Sequence, residues 1–154
     1  MTHAGSNADR LRILRRYKKV AMVGLSSNPS RPSHFVAIYL NSWGYEVTAV
    51  NPREKAVLGK PAYASLKDAP GPIEIVDIFR DPGAVPGIVE EAIEVGAKVI
   101  WMQLGIVHEA AAQRAVDAGL EVVMDRCIKI EHARHFGGLS MMGLNTAILS
   151  PKKR

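Results

Sequence analysis

Short apolar segments alternate with helical segments along most of the chain, and this alternation is the feature that most restricts the fold. The apolar segments are VAMVG (20–24), YEVTAVN (45–51), IEIVDIF (73–79), KVIWMQL (98–104) and EVVMD (121–125). Near-continuous apolar runs of this length are typical of parallel strands that helices cover on both faces. The pattern therefore predicts one α/β domain over residues 1–154, with a doubly wound, five-stranded parallel sheet of the Rossmann-like type.

The segments between these strands carry helix signals. Ser33 is expected to cap a helix that ends at Gly44, and Pro86 to begin one that ends at Gly96. Further helices are expected in RLRILRRY, with Leu11, Leu14 and Tyr17 on one side, in HEAAAQRAVDAG (108–119) and in IKIEHARHF (128–136). Three segments give weaker signals. Residues 1–8 are expected to be disordered, and PREKAVLGKPAYASLKD is expected to hold little more than a short helix near Ser65. The tail from Gly137 has no assigned structure.

The charge distribution argues against a nucleic-acid protein. The formal net charge is +5, but residues 20–151 hold eleven basic and fourteen acidic side chains, so the excess lies at the two ends. Those basic ends offer one aromatic residue for base stacking, Tyr17. A single cysteine and the absence of a long apolar run predict a cytoplasmic protein without a membrane segment, and apolar residues between Leu139 and Leu149 are compatible with a homo-oligomer.

Arginines follow several of the predicted strands. Ligands of open α/β sheets collect at the carboxyl ends of the strands. Four of the eleven interior basic residues lie in the segments after the strands, namely Arg31, Arg53, Arg80 and Arg126. This arrangement predicts an anionic ligand, with more than one phosphate.

The loop after the first strand, GLSSNPSRPSHF, stands where dinucleotide-binding chains carry G-x-G-x-x-G. Gly24 permits close approach of a ligand, a helix N-terminus favours an anion, and four side chains add donors: Ser26, Ser27, Asn28 and Ser33. The same residues are equally those of an ordinary turn and helix cap. The loop alone therefore leaves both interpretations open.

The second strand end is more discriminating. NAD-binding domains place a carboxylate there to accept hydrogen bonds from the ribose hydroxyls, whereas this chain has Asn51, Pro52 and Arg53. An arginine pairs with a ribose phosphate, which a carboxylate would repel. The residues favour NADP or coenzyme A (CoA), and the alternative is a solvated arginine after a proline-terminated strand.

Five stretches together resemble the small stand-alone CoA-binding proteins, which are similar to the N-terminal domain of the succinyl-CoA synthetase α subunit. They are GLSSNPSRPSH, VNPRE, VDIFR, WMQLGI and MDRCIKIEH, within roughly residues 10–136. The resemblance implies CoA bound along the carboxyl edge of the sheet. It places one group near the phosphates or the pantetheine arm, namely Gly24, Ser26, Ser27, Asn28 and Arg31. Near the 3′-phosphate it places Asn51, Pro52 and Arg53. It places Phe79 and Arg80 along the adenine or diphosphate, and Gln103 further along the cleft. Ser33 and Arg126 complete the candidate set.

Other reactive side chains receive ordinary interpretations. Cys127 follows a strand end and could form a mixed disulfide with CoA, but a buried, inert cysteine is preferred. His132 and His135 are expected on a solvated helix face, and no metal site is predicted.

The preferred function is binding of CoA or acyl-CoA without catalysis. The sequence leaves the acyl group open. The alternatives are an NADP-dependent oxidoreductase subunit, and an adaptor that binds nucleic acid or a protein partner through its basic ends.

Overall fold

The computed structural model describes residues 5–137, which form five α-helices and seven strands. The helices are α1 (Asn7–Arg16), α2 (Pro32–Ser42), α3 (Val85–Glu94), α4 (Glu109–Asp117) and α5 (Ile128–Phe136). The strands are β1 (Lys19–Val23), β2 (Glu46–Val50), β3 (Ala56–Val57), β4 (Lys60–Tyr63), β5 (Ile75–Ile78), β6 (Val99–Met102) and β7 (Glu121–Val123). The predicted alternation of strands and helices is confirmed.

The strands form one sheet in the order β3-β4-β2-β1-β5-β6-β7. All neighbours are parallel except β3 and β4. The chain moves from β1 to β2 on one side and later returns to β5 on the other side of β1, so the order reverses beside β1. Such a reversal opens a crevice at the carboxyl ends of the strands.

Helices cover both faces of the sheet, as predicted. One apolar cluster joins α1, α2 and α5 to one face, and a second joins α3 and α4 to the other. The strands β5 and β6 are buried at every residue, which explains why their sequences are almost continuously apolar.

Two additional strands correct the predicted count of five. β3 and β4 form an antiparallel hairpin within the segment 52–68, and β4 also pairs in parallel with β2. The expected short helix is present beside them as a 3₁₀ turn at Leu66–Asp68. The hairpin escapes prediction because both strands are short and largely exposed, and because its turn places Leu58, a non-glycine residue, at φ 53°.

The N-terminal helix is longer than expected. Ser6 accepts a hydrogen bond from the Asp9 N–H and so caps α1, which places Asn7 and Ala8 in a helix instead of a disordered segment. Its buried apolar residues are Ile13 and Leu14, while Leu11 and Tyr17 are only partly buried. Arg10 is also buried and forms an ion pair of 2.6 Å with Glu131 of α5. The tail beyond Gly137, with its predicted role in oligomerisation, lies outside the described residues.

Candidate functional site

A cleft of about 950 Å³ lies where the strand order reverses. Most of the predicted binding residues line it: Gly24, Arg31, Asn51, Pro52, Arg53, Phe79, Arg80 and Gln103. Its other walls come from α2, α5 and the segments after β5 and β6, through Pro32, Val36, Asp81, Pro82, Leu104, Gly105, Ile106, Cys127 and Ile130. A space of this size at this edge of a parallel sheet is suited to a nucleotide-sized ligand.

Gly24 lets the ends of β1 and β5 approach each other. Its φ is +94°, and a Cβ atom built there would lie 2.4 Å from the carbonyl oxygen of Phe79. Any larger residue would push apart the two strand ends that form the centre of the cleft. The glycine is therefore required by close approach between two parts of the chain.

Three arginines give the cleft a positive charge. Arg31, Arg53 and Arg80 are exposed, line the cleft, and form no salt bridge with any residue between 5 and 137. Asp81 is the acidic residue among the lining side chains. Unpaired guanidinium groups around a concave surface attract and hold phosphate. The fourth predicted arginine, Arg126, is exposed but does not line the cleft.

The loop after β1 is held by its own hydrogen bonds. The backbone N–H of Ser26 donates to Ser33 Oγ over 3.1 Å, that of Ser27 to Glu54 Oε2 over 2.8 Å, and that of Asn28 to Ser26 Oγ over 3.0 Å. The bond from Ser27 lowers the pKa of Glu54 and keeps its carboxylate charged.

These bonds change the expected role of the serines. The prediction that Ser33 caps α2 is wrong: Arg31 is the N-cap residue, and Ser33 lies in the first turn. Ser26, Ser27, Asn28 and Ser33 lie beside the cleft but do not line it. The internal bonds engage three backbone N–H groups of the loop, and the hydroxyl oxygens of Ser26 and Ser33 accept two of them.

The end of β2 is tied to the same loop. Asn51 Nδ2 donates to the carbonyl oxygen of Leu25 over 3.1 Å, and its Oδ1 accepts from the Arg53 N–H over 2.9 Å. Asn51 therefore fixes the turn from which the Arg53 side chain reaches the cleft.

The far side of the cleft is formed after β6 and β7. Gln103 is 5% exposed, and its Oε1 accepts a hydrogen bond from the Ile128 N–H at the start of α5 over 3.0 Å. Asp125 Oδ1 accepts from the Gly105 N–H over 2.7 Å and so joins the two segments. Cys127, two residues after Asp125, is partly exposed and lines the cleft, so its expected burial is corrected.

Asp77 is a buried carboxyl group that sequence reasoning did not select. It lies on β5 two residues before Phe79, is 0% exposed, and neither oxygen has a hydrogen-bond partner among the described residues. Burial raises the pKa of Asp77 well above its ordinary value, because the charged form loses its hydration. An aspartate within an apolar strand was the available signal.

The two histidines of α5 do not lie on a solvated face as predicted, because His132 is buried and His135 is partly buried. His132 is 2% exposed, and its Nδ1 lies 2.8 Å from the hydroxyl of Tyr39. Burial and the charge of Lys18 lower the pKa of His132 to about 4. Across residues 5–137, no group of three or more His, Cys, Asp or Glu side chains could hold a metal ion.

The reversed strand order, the glycine at the crossover and the cationic cleft define a nucleotide-binding class of α/β domain. The chain belongs to the CoA-binding domain family, whose model matches residues 18–133. The family expected from the five sequence stretches is therefore confirmed.

Several relatives share most of the chain. The uncharacterized protein YneT of Bacillus subtilis is 45% identical over 128 residues, which is 83% of this chain and 95% of YneT. A hypothetical protein from Pyrococcus horikoshii is 43% identical with a TM-score of 0.82, over 84% of this chain and 91% of that one. A protein from Thermus thermophilus is 37% identical with a TM-score of 0.81, over 85% and 99%.

No helix within residues 5–137 has the length and apolar character needed to cross a lipid bilayer.

Proposed function

We propose that the protein binds CoA or acyl-CoA in the cleft and has no catalytic activity of its own. The observation that carries the proposal is the set of three exposed arginines, Arg31, Arg53 and Arg80, which face one cleft without an acidic partner among the described residues. CoA carries a diphosphate and a 3′-phosphate, so it offers phosphate groups at separate points along an elongated molecule. The family to which the chain belongs supports the same ligand.

Arg53 receives the 3′-phosphate in this proposal. It follows β2, the position at which NAD-binding domains place a carboxylate for the ribose hydroxyls. Arg31 and Arg80 lie nearer the crossover between β1 and β5, where they bind the diphosphate. Gly24 lines the cleft at that crossover, and Gln103 contacts the pantetheine arm beyond it.

The proposed site differs from the candidates of the sequence analysis in two respects. Ser26, Ser27, Asn28 and Ser33 hold the loop in shape through their internal bonds, and direct contact with phosphate is assigned to the arginines. Arg126 remains a candidate only for a ligand that extends beyond the cleft.

An NADP-dependent oxidoreductase subunit is the alternative that shares this chemistry, because NADP also carries a ribose phosphate. The basic N-terminal segment offers less support for an adaptor, since Arg10 and Arg12 are engaged in ion pairs with Glu131 and Glu121. The proposal also includes a reducing, cytoplasmic location, which the single cysteine supports.

Calorimetric titration with CoA, acetyl-CoA, NADP and NAD separates these functions. Saturable binding of CoA with one site per chain, and weaker binding of NADP and NAD, is the expected result. Preference for NADP would redirect the search to a reductase with a partner subunit. Absence of binding by all four ligands would contradict the proposal.

A further inference from the structure

We propose that Cys127 is a thiol–disulfide exchange site for the sulfur end of CoA, so that the protein can hold CoA covalently as well as reversibly. This inference rests on the proposed function and adds a covalent step to it. Cys127 is the only cysteine of the chain, lines the cleft, is partly exposed and makes no hydrogen bond that caps α5.

The position of Cys127 matches the sulfur end of the ligand. Arg53 follows β2 and Gln103 follows β6, which is three strand spacings away, or about 14 Å. Cys127 lies beside Gln103, since Ile128, the next residue, donates its N–H to Gln103. A CoA molecule whose 3′-phosphate binds Arg53 therefore directs its pantetheine arm and its thiol toward Cys127.

Gln103 is a second and independent sign of a ligand at this end of the cleft. Its Oε1 accepts from the Ile128 N–H, and this bond fixes the orientation of the amide because only the oxygen can accept. Gln103 is 95% buried and lines the cleft. Its Nε2 group is therefore left on the cleft side, where it has no hydrogen-bond partner among residues 5–137. An unpartnered donor there suits a carbonyl oxygen, and the pantetheine arm carries two amide carbonyls.

The reaction needs a disulfide of CoA as its second reactant and no separate oxidant. Cys127 loses its proton, and the thiolate attacks the sulfur of a CoA disulfide. The new bond joins Cys127 Sγ to the CoA sulfur as the old S–S bond breaks, and the released CoA thiolate takes up a proton. Because the chain holds no second cysteine, only an external thiol can release the bound CoA.

The test measures intact protein mass after reduced protein, freed of reductant, is mixed with the symmetric disulfide of CoA. The expected product carries one CoA per chain and is reversed by dithiothreitol. Its formation should be about tenfold or more faster than modification by glutathione disulfide, because the cleft binds only the CoA reagent. Cys127→Ser should carry no CoA.

Two further variants examine how the site selects its reagent. Arg53→Ala should slow modification by CoA disulfide and leave the rate with glutathione disulfide unchanged. Gln103→Glu keeps an acceptor for the Ile128 N–H but removes the donor on the cleft side. Its added negative charge acts on both reactions, so the rate with CoA disulfide should fall by more than the rate with glutathione disulfide.

Equal rates with the two disulfides, or rates unaffected by both variants, would overturn the inference. Calorimetry of the unaltered chain with CoA, both kept reduced, distinguishes its failure from that of the proposed function. If the chain binds reduced CoA yet resists modification by the CoA disulfide, only the covalent step is wrong. If it binds no reduced CoA, both proposals fail.

Discussion

Replacing Gly24 with alanine tests whether the centre of the cleft depends on close approach between two strand ends. The φ of Gly24 is +94°, and a left-handed backbone costs an alanine about 1–2 kcal/mol. The added Cβ would also lie 2.4 Å from the Phe79 carbonyl oxygen, which belongs to backbone and cannot rotate away. Moving the end of β5 to relieve that contact should cost about 1–3 kcal/mol more.

Gly119→Ala is the matched control. Gly119 has a φ of +93°, almost the same as Gly24, but nothing lies within 4 Å of the Cβ position there. It should therefore lose only the stability that the left-handed backbone costs an alanine, about 1–2 kcal/mol. The difference between the two variants isolates the cost of the steric contact.

The assay is urea denaturation of both variants, with the free energy of unfolding extrapolated to water. Gly24→Ala should be less stable than Gly119→Ala by about 2 kcal/mol. It should also bind CoA more weakly, since Phe79 and Arg80 must shift with the strand end. Equal losses of stability in the two variants would refute the argument that close approach, and not backbone conformation alone, requires glycine at this position.

Two further predictions concern buried charges. Burial raises the pKa of Asp77, so above the ordinary carboxyl pKa of 3.8 the folded state keeps its proton while the unfolded state releases it. The free energy of unfolding should therefore fall as pH rises from 3.8 to the raised pKa, by up to about 1.4 kcal/mol per pH unit. Asp77→Asn should remove this decline when urea denaturation is compared at several pH values, and identical slopes would contradict the assignment. Arg10→Ala should cost about 3 kcal/mol, because the buried Glu131 loses its 2.6 Å partner and keeps only the 3.6 Å pair with the exposed Arg134. Arg12→Ala, which removes two solvent-accessible pairs with Asp9 and Glu121, should cost at most about 1 kcal/mol. Thermal unfolding that ranks the two variants equally would contradict this difference.

The order of elements could be predicted because each strand is a short apolar run and several helices end at glycine. β5 and β6 are buried at all positions, so their sequences carry a strong signal. The β3–β4 hairpin carries none, because its strands are short and Leu58 adopts a turn conformation that normally marks glycine or asparagine.

The cleft was partly predictable for a related reason. Once a strand is predicted, the residues that follow it are known from the sequence, so Arg31, Arg53 and Arg80 could be grouped before their positions in the fold were known. Contacts made across the fold leave no local pattern. Ser33 resembles a helix cap in sequence, yet it accepts from the Ser26 N–H seven residues earlier in the loop. Cys127 resembles a buried residue, yet it lines the cleft.

The most direct test of the central claim is a calorimetric cycle that combines two ligands with two proteins. CoA and 3′-dephospho-CoA are titrated into the unaltered chain and into Arg53→Ala, with Lys55→Ala as a control, because Lys55 is exposed nearby but does not line the cleft. Loss of either the 3′-phosphate or the Arg53 side chain should weaken binding about tenfold, and loss of both should add little more, since the two groups bind each other. Independent, additive losses, or a loss as large in Lys55→Ala, would contradict the assignment of Arg53 to the 3′-phosphate.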